Sequence, residues 1–183
     1  MTNAPKITQA AVQIARVLGF TVFAVNSPRH NDNIKSLGAT YCADYSDPAV
    51  VQKVIDAAKS FGHQIKIGYD AISENGTSPL AAAILEGFGG GKLCMTLPYP
   101  DDQNKPSSVQ TFHTFAMQVV SDQKEVGLWM FGEWLSKSLN DGTFVPTPAI
   151  KKVDGGIEGV QKALDLLKGG VSGEKLVLSL SDE

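Results

Sequence analysis

The 183-residue chain carries 16 Lys plus Arg against 19 Asp plus Glu, a formal charge of −3, two cysteines and 43% apolar residues. That size and composition allow one soluble domain with a real hydrophobic core. With no basic run longer than Lys151-Lys152, the chain lacks the concentrated positive charge that nucleic-acid surfaces and polybasic membrane patches need, so neither partner is expected. No stretch approaches the roughly 20 apolar residues that cross a bilayer, and the first six residues lack a signal-peptide core, so the expected location is cytoplasmic.

Ala10, Ala11, Ile14, Ala15 and Leu18 recur at helical spacing, with Thr8 as N-cap and Gly19 past the end. Residues 20–25 form an apolar run like a parallel strand covered on both faces, and Asn26-Ser27-Pro28-Arg29 breaks it. A short helix over 31–37, a strand over 40–43 and a helix opened by Asp47-Pro48 follow. Residues 65–70 read as a strand, 78–85 as a helix and 91–97 as a strand. Strands and helices alternating at this spacing predict parallel crossover units, hence an α/β fold.

Beyond Pro98 a polar loop leads to a β-rich run over 109–120, and 122–139 has helical spacing. Val126, Trp129, Met130 and Leu135 share its apolar stripe and are read as core, whereas Phe131 and Trp134 cannot both point with them. The tail predicts an extended segment over 146–150, a helix over 157–167 and a last strand over 176–180. No repeat or linker divides the chain, so residues 1–183 are read as one domain. Cys42 and Cys94 are isolated from further cysteine or histidine; they are read as reduced core thiols, and no metal is expected. Gly89-Gly90-Gly91 precedes a strand rather than a helix and is not read as a phosphate loop.

Several motifs together resemble a known family. Ala11-Val12-Gln13-Ile14-Ala15-Arg16, Ser27-Pro28-Arg29-His30, Ser36-Leu37-Gly38-Ala39, Asp44-Tyr45 and Asp70-Ala71-Ile72-Ser73 look like the nucleotide-binding half of medium-chain dehydrogenase/reductases. Within residues 142–183, Gly155-Gly156-Ile157-Glu158-Gly159-Val160-Gln161 and Val171-Ser172-Gly173-Glu174-Lys175-Leu176-Val177 look like the family's C-terminal return segment. The chain is similar to the zinc-free trans-acting enoyl reductases of fungal polyketide synthesis and to quinone oxidoreductases, from about residue 7 to 180.

The resemblance implies a Rossmann-like, mostly parallel sheet with helices on both faces, holding NADP(H) in a cleft against a second, catalytic lobe. It implies hydride transfer to an activated double bond of an apolar, polyketide-like small molecule. Ser27 and Arg29 fall where the family reads the adenosine 2′-phosphate, and a guanidinium fork suits that dianion. By the same likeness Tyr45 lies near the adenine, Ile72 and Ser73 near the cofactor ribose, and Leu97 near the nicotinamide.

The departures matter as much. The family's Gly-rich turn, which lets the backbone approach the pyrophosphate, corresponds here to Thr2-Asn3-Ala4-Pro5-Lys6-Ile7-Thr8. No glycine remains there and Pro5 has no N–H, which weakens the NADP(H) expectation. The preceding first strand and the catalytic lobe are missing as well, as in an N-terminally truncated family member. Removing a central strand leaves its neighbours with unpaired backbone groups at roughly 1 to 3 kcal/mol each. Direct pairing of the flanking strands, insertion of the tail strand over 176–180, or a strand from another chain would close the sheet. Exposed apolar edges favour association, so a homo-oligomer is expected.

His113 and Asp70 are the candidate catalytic residues: an imidazole titrates near neutrality, and Asp70 ends a strand where α/β folds place ligands. The bland reading of His113 is a structural residue on a strand's polar face, and that of Asp70 is a turn cap. His30 and His63 are read as exposed loop residues. The function expected by resemblance is an NADPH-dependent enoyl reductase in shortened form. The alternatives are a remnant repurposed as a cofactor-independent cyclase, isomerase or dehydratase, and a non-catalytic partner subunit.

Overall fold

Apolar strands that can be covered on both faces alternate with amphipathic helices through the first half of the chain, and the computed structural model, which describes residues 5–180, has the α/β architecture this predicts. In chain order come α1 (Pro5–Val17), β1 (Val22–Asn26), α2 (Asn31–Ser36), β2 (Ala39–Asp44), α3 (Val50–Ser60), β3 (Ile67–Asp70), α4 (Thr77–Glu86), β4 (Gly91–Met95) and β5 (Val109–His113). Then follow α5 (Lys124–Gly127), a π-helical stretch Leu128–Trp134, α6 (Leu135–Asn140), β6 (Ala149–Val153), α7 (Val160–Lys168) and β7 (Glu174–Leu178). Every strand pair is parallel. Residues 1–4, which include three of the seven residues matched to the glycine turn, lie outside the described residues.

Among the described residues the strands form three separate sheets, β2-β1, β3-β4-β5 and β6-β7. Two expected closures of the sheet are thereby corrected: β1 does not pair with β3, and the tail strand pairs with β6 rather than entering between them. Val12, Ile34 and Leu37 cover one face of β1-β2 through Ala24 and Ala39. On the other face Val50 and Val54 of α3 and Ile84 of α4 pack with Phe23, Val25, Tyr41 and Ile65, so one apolar layer spans both sheets. Leu85 and Ala82 of α4 close over Leu93, Met95 and Val109.

Several boundaries shift for local reasons. Helix α1 starts upstream of Thr8, and its buried face is not the Ala10-Ile14 stripe but Gln9, Val12 and Gln13. Gln13 turns inward because its amide pairs with a peptide group of the tail: Nε2 donates to the Val145 carbonyl at 3.1 Å and Oε1 accepts from the Val145 N–H at 2.8 Å. Asp47 serves the turn before α3, accepting from the Ala49 N–H and pairing with Lys53, and the helix begins at Val50. The β-rich run ends at His113 and gives way to a 3-10 turn, Ala116–Val120.

The aromatic helix is the largest departure. A π turn spaces neighbours five residues apart, and Trp129 lies on Trp134 with ring centroids 5.9 Å apart, while Trp134 meets Phe144 edge-on at 5.7 Å. Of the stripe read as core, Val126 and Trp129 are exposed, and Met130 and Leu135 are half-buried; Leu128 and Phe131 also face solvent. Cys42 and Cys94 are free and half-buried, and burial raises the Cys42 thiol above its ordinary range.

Candidate functional site

Ligands of parallel α/β sheets gather at the carboxyl ends of strands, and all eight residues singled out from sequence lie just beyond or at such ends. They fall into two groups on the two main sheets. Ser27, Arg29 and Tyr45 follow β1 and β2, with the Tyr45 N–H reaching the Asn26 carbonyl at 3.4 Å. Asp70, Ile72, Ser73, Leu97 and His113 end or follow β3, β4 and β5.

The second group is one connected polar chain. Asp70 is 6% exposed, and its carboxylate accepts from the N–H groups of Ile72 and Ser73 and from the hydroxyls of Thr77 and Ser78, all within 2.7–3.0 Å. Ser73, held at φ +56°, donates its hydroxyl to the Asp70 carbonyl and accepts from the Thr96 N–H at 3.0 Å. The Thr96 carbonyl lies 3.1 Å from Nε2 of the exposed His113. Asp70 therefore clasps the 70–78 loop with both oxygens engaged, in the geometry of the turn cap, and the two catalytic candidates sit at opposite ends of a relay through Ser73 and Thr96.

Around Arg29 the chain builds a pocket of about 470 Å³, lined also by Gln9, His30, Asn33, Thr147, Ala149, Ser172 and Gly173. One lining residue, Gln9, is fully buried with neither amide atom hydrogen-bonded. A buried amide without partners costs free energy unless a ligand satisfies it. His30, read from sequence as an exposed loop residue, is half-buried: Nε2 lies 3.0 Å from the Ser172 hydroxyl, and burial together with the Arg29 charge lowers its pKa from the ordinary histidine value. Gly173 is required beside it, since φ is +76° and a Cβ would lie 3.2 Å from the imidazole.

Sequence reading found Arg29 but missed Gln9, His30 and Ser172. Gln9 and Ser172 are separated by most of the chain, and a glutamine in a helix gives no sign of being buried. Of the six cofactor-site expectations only Arg29 lines this pocket. Among the described residues no group of three or more His, Cys, Asp or Glu is placed to hold a metal ion, and no helix is long and apolar enough to cross a membrane.

No protein-family model matches the chain. It is 33% identical over 173 residues to the trans-enoyl reductase TndF of Aspergillus flavipes, covering 93% of this chain and 50% of that protein. It is 31% identical over 170 residues to the zinc-binding alcohol dehydrogenase domain-containing protein CipB of Emericella nidulans, covering 93% and 52%. Among solved structures the CurK enoyl reductase superposes with a TM-score of 0.69 at 19% identity, over 96% of this chain and 53% of that one. A mycobacterial Rv1454c complexed with NADPH does so at 0.65 and 18%, over 97% and 54%. The chain spans about half the length of the curated relatives it matches. The fold is thus Rossmann-like, and over about half their length the chain is similar to a trans-enoyl reductase and a zinc-binding alcohol dehydrogenase domain-containing protein.

Proposed function

We propose that the chain takes the adenosine end of NADPH in the pocket at Arg29 and serves as an enoyl-reductase-like oxidoreductase on apolar, polyketide-like substrates. The observation that carries the reading is the buried, unpartnered amide of Gln9 in the same pocket as an arginine. A 2′-phosphate supplies acceptors for the Gln9 Nε2–H and for the Arg29 fork, and charge-assisted bonds of that kind are the strong ones. The pocket volume suits one end of a dinucleotide, and the Ile72-Ser73 loop and Leu97 are the proposed rest for the other end.

The bound nucleotide supplies a hydride to an electron-poor double bond. Asp70 acts as a positioning residue, holding Ile72 and Ser73 through their N–H groups. His113 donates its Nε2–H to the Thr96 carbonyl, and in its doubly protonated form it would also carry on Nδ1 the proton that the substrate takes up after hydride addition, regaining it from water. The test is isothermal titration of the protein with NADPH, NADH and 2′,5′-ADP. The expected outcome is binding of NADPH and 2′,5′-ADP, with NADH at least tenfold weaker and the difference erased in Arg29→Ala. Heat with none of the three overturns the reading, and turnover of an isolated enoyl substrate without nucleotide favours the cofactor-independent alternative.

A further inference from the structure

His30 follows Arg29 directly in the turn after β1, and its ring lines the same pocket as the guanidinium and the unpartnered Gln9 amide. Two contacts with the tail fix that ring. Nε2 lies 3.0 Å from the Ser172 hydroxyl, and a Cβ on Gly173 would come within 3.2 Å of Cε1 and 3.5 Å of Nδ1, so the tail backbone runs close along the other edge. A hydroxyl donates to an unprotonated Nε2 and accepts from an Nε2–H, so Ser172 holds the imidazole in both charge states. Taking up a proton therefore changes the charge of the pocket and leaves its contacts in place.

The groups that share the pocket with His30 come from every element packed around it: Gln9 from α1, Asn33 from α2, Thr147 from the segment before β6, Ser172 from the turn before β7, and Arg29 from its own turn. Of these Arg29 alone is charged, and among the described residues no carboxylate lines the pocket. Burial and then the guanidinium both discourage the proton on His30, which is the direction in which its pKa moves. A phosphate dianion reverses that field. One guanidinium matches only half of its charge in a partly buried site, and the pocket group able to supply a second positive charge is the imidazole.

We propose that His30 is a proton-linked ligand of the phosphate: a 2′-phosphate held by Arg29 and Gln9 draws a proton onto the imidazole, and the protonated imidazole in turn tightens the hold on the phosphate. The inference rests on the reading of this pocket as the NADPH phosphate site. It adds that the preference for a 2′-phosphate grows as pH falls from 8 to 6.5, a range in which a phosphate monoester, with a second pKa of about 6, stays mostly dianionic. Proton uptake on binding and tighter binding at lower pH are one coupling seen from its two sides.

The chain has three histidines, so their Cε1–H resonances can be followed one by one through a pH titration of the isotope-labelled protein, alone, with saturating 2′,5′-ADP, and with 5′-AMP, which lacks the 2′-phosphate. With 2′,5′-ADP the proton affinity of His30 is expected to rise at least tenfold while His63 and His113 stay as they were; 5′-AMP is expected to leave all three unchanged. In calorimetry the affinity of the parent for 2′,5′-ADP relative to that of His30→Gln is expected to rise at least twofold between pH 8 and pH 6.5, the variant cancelling the ligand's own titration. Resonances across the protein that shift and saturate with 2′,5′-ADP while the His30 midpoint stays fixed overturn this inference and leave the phosphate reading standing. An equal rise with 5′-AMP also overturns it, and the absence of any shift with 2′,5′-ADP overturns both.

Discussion

Asp70 separates two accounts of one carboxylate. Its oxygens accept from four donors, two of them backbone N–H groups, in a site that is almost closed to water. Removing the acceptor leaves buried donors unpaired, each at about 1 to 3 kcal/mol. Asp70→Ala is expected to lower stability by about 3 kcal/mol in urea denaturation followed by far-ultraviolet circular dichroism. A variant that keeps its stability and loses turnover would instead make Asp70 a catalytic group. This residue was legible in sequence as a strand-end carboxylate, but its partners were not, because Thr77 and Ser78 gain meaning only when the loop folds back. Gln9 was illegible for the opposite reason: its polarity predicts solvent, whereas the folded chain buries it beside a pocket that tail residues also line.

Elements read from periodicity were found where the pattern was simple. The strands at 22–26, 39–44, 67–70 and 91–95 each fall within two residues of the apolar runs that predicted them. The aromatic helix misled, since a spacing counted at 3.6 residues per turn cannot anticipate a π turn that moves Trp134 onto Trp129. The tail is held to α1 by two side chains: Gln13 pairs with Val145 through both amide atoms, and Arg16 donates to the Thr143 carbonyl at 2.9 Å. Gln13→Ala is expected to expose the 141–148 segment, raising the rate of proteolytic cleavage there at least fivefold while β1 to β5 stay resistant. Equal cleavage of variant and parent would show that the tail is held by packing alone.

At the scale of the whole molecule, the tail and the main sheets meet at His30, whose Nε2 lies against Ser172. Burial and the neighbouring Arg29 lower its pKa below 6.5, so the folded protein favours the neutral imidazole more than the unfolded chain does. The sign follows from linkage: this contribution is complete above pH 6.5 and is lost as pH falls through the folded value. The calorimetric Tm is expected to fall between pH 7 and 5, with a smaller slope in His30→Gln. The lowered carboxyls of Asp47 and Asp141 act separately, below pH 4. The overall α/β plan was legible from alternation alone, but the division into three sheets was not, because hydrophobic runs do not record which strand lies beside which.

Both tryptophans of the chain belong to the stacked pair in the aromatic helix. Intrinsic emission excited at 295 nm therefore reports the 124–140 helix and its Phe144 contact, and the β-sheets that carry the residues proposed to bind nucleotide are optically silent at that wavelength. A melt recorded by tryptophan emission follows the fate of that helix, and a titration watched the same way sees a ligand at Arg29 only through energy transfer or a rearrangement that reaches the indoles.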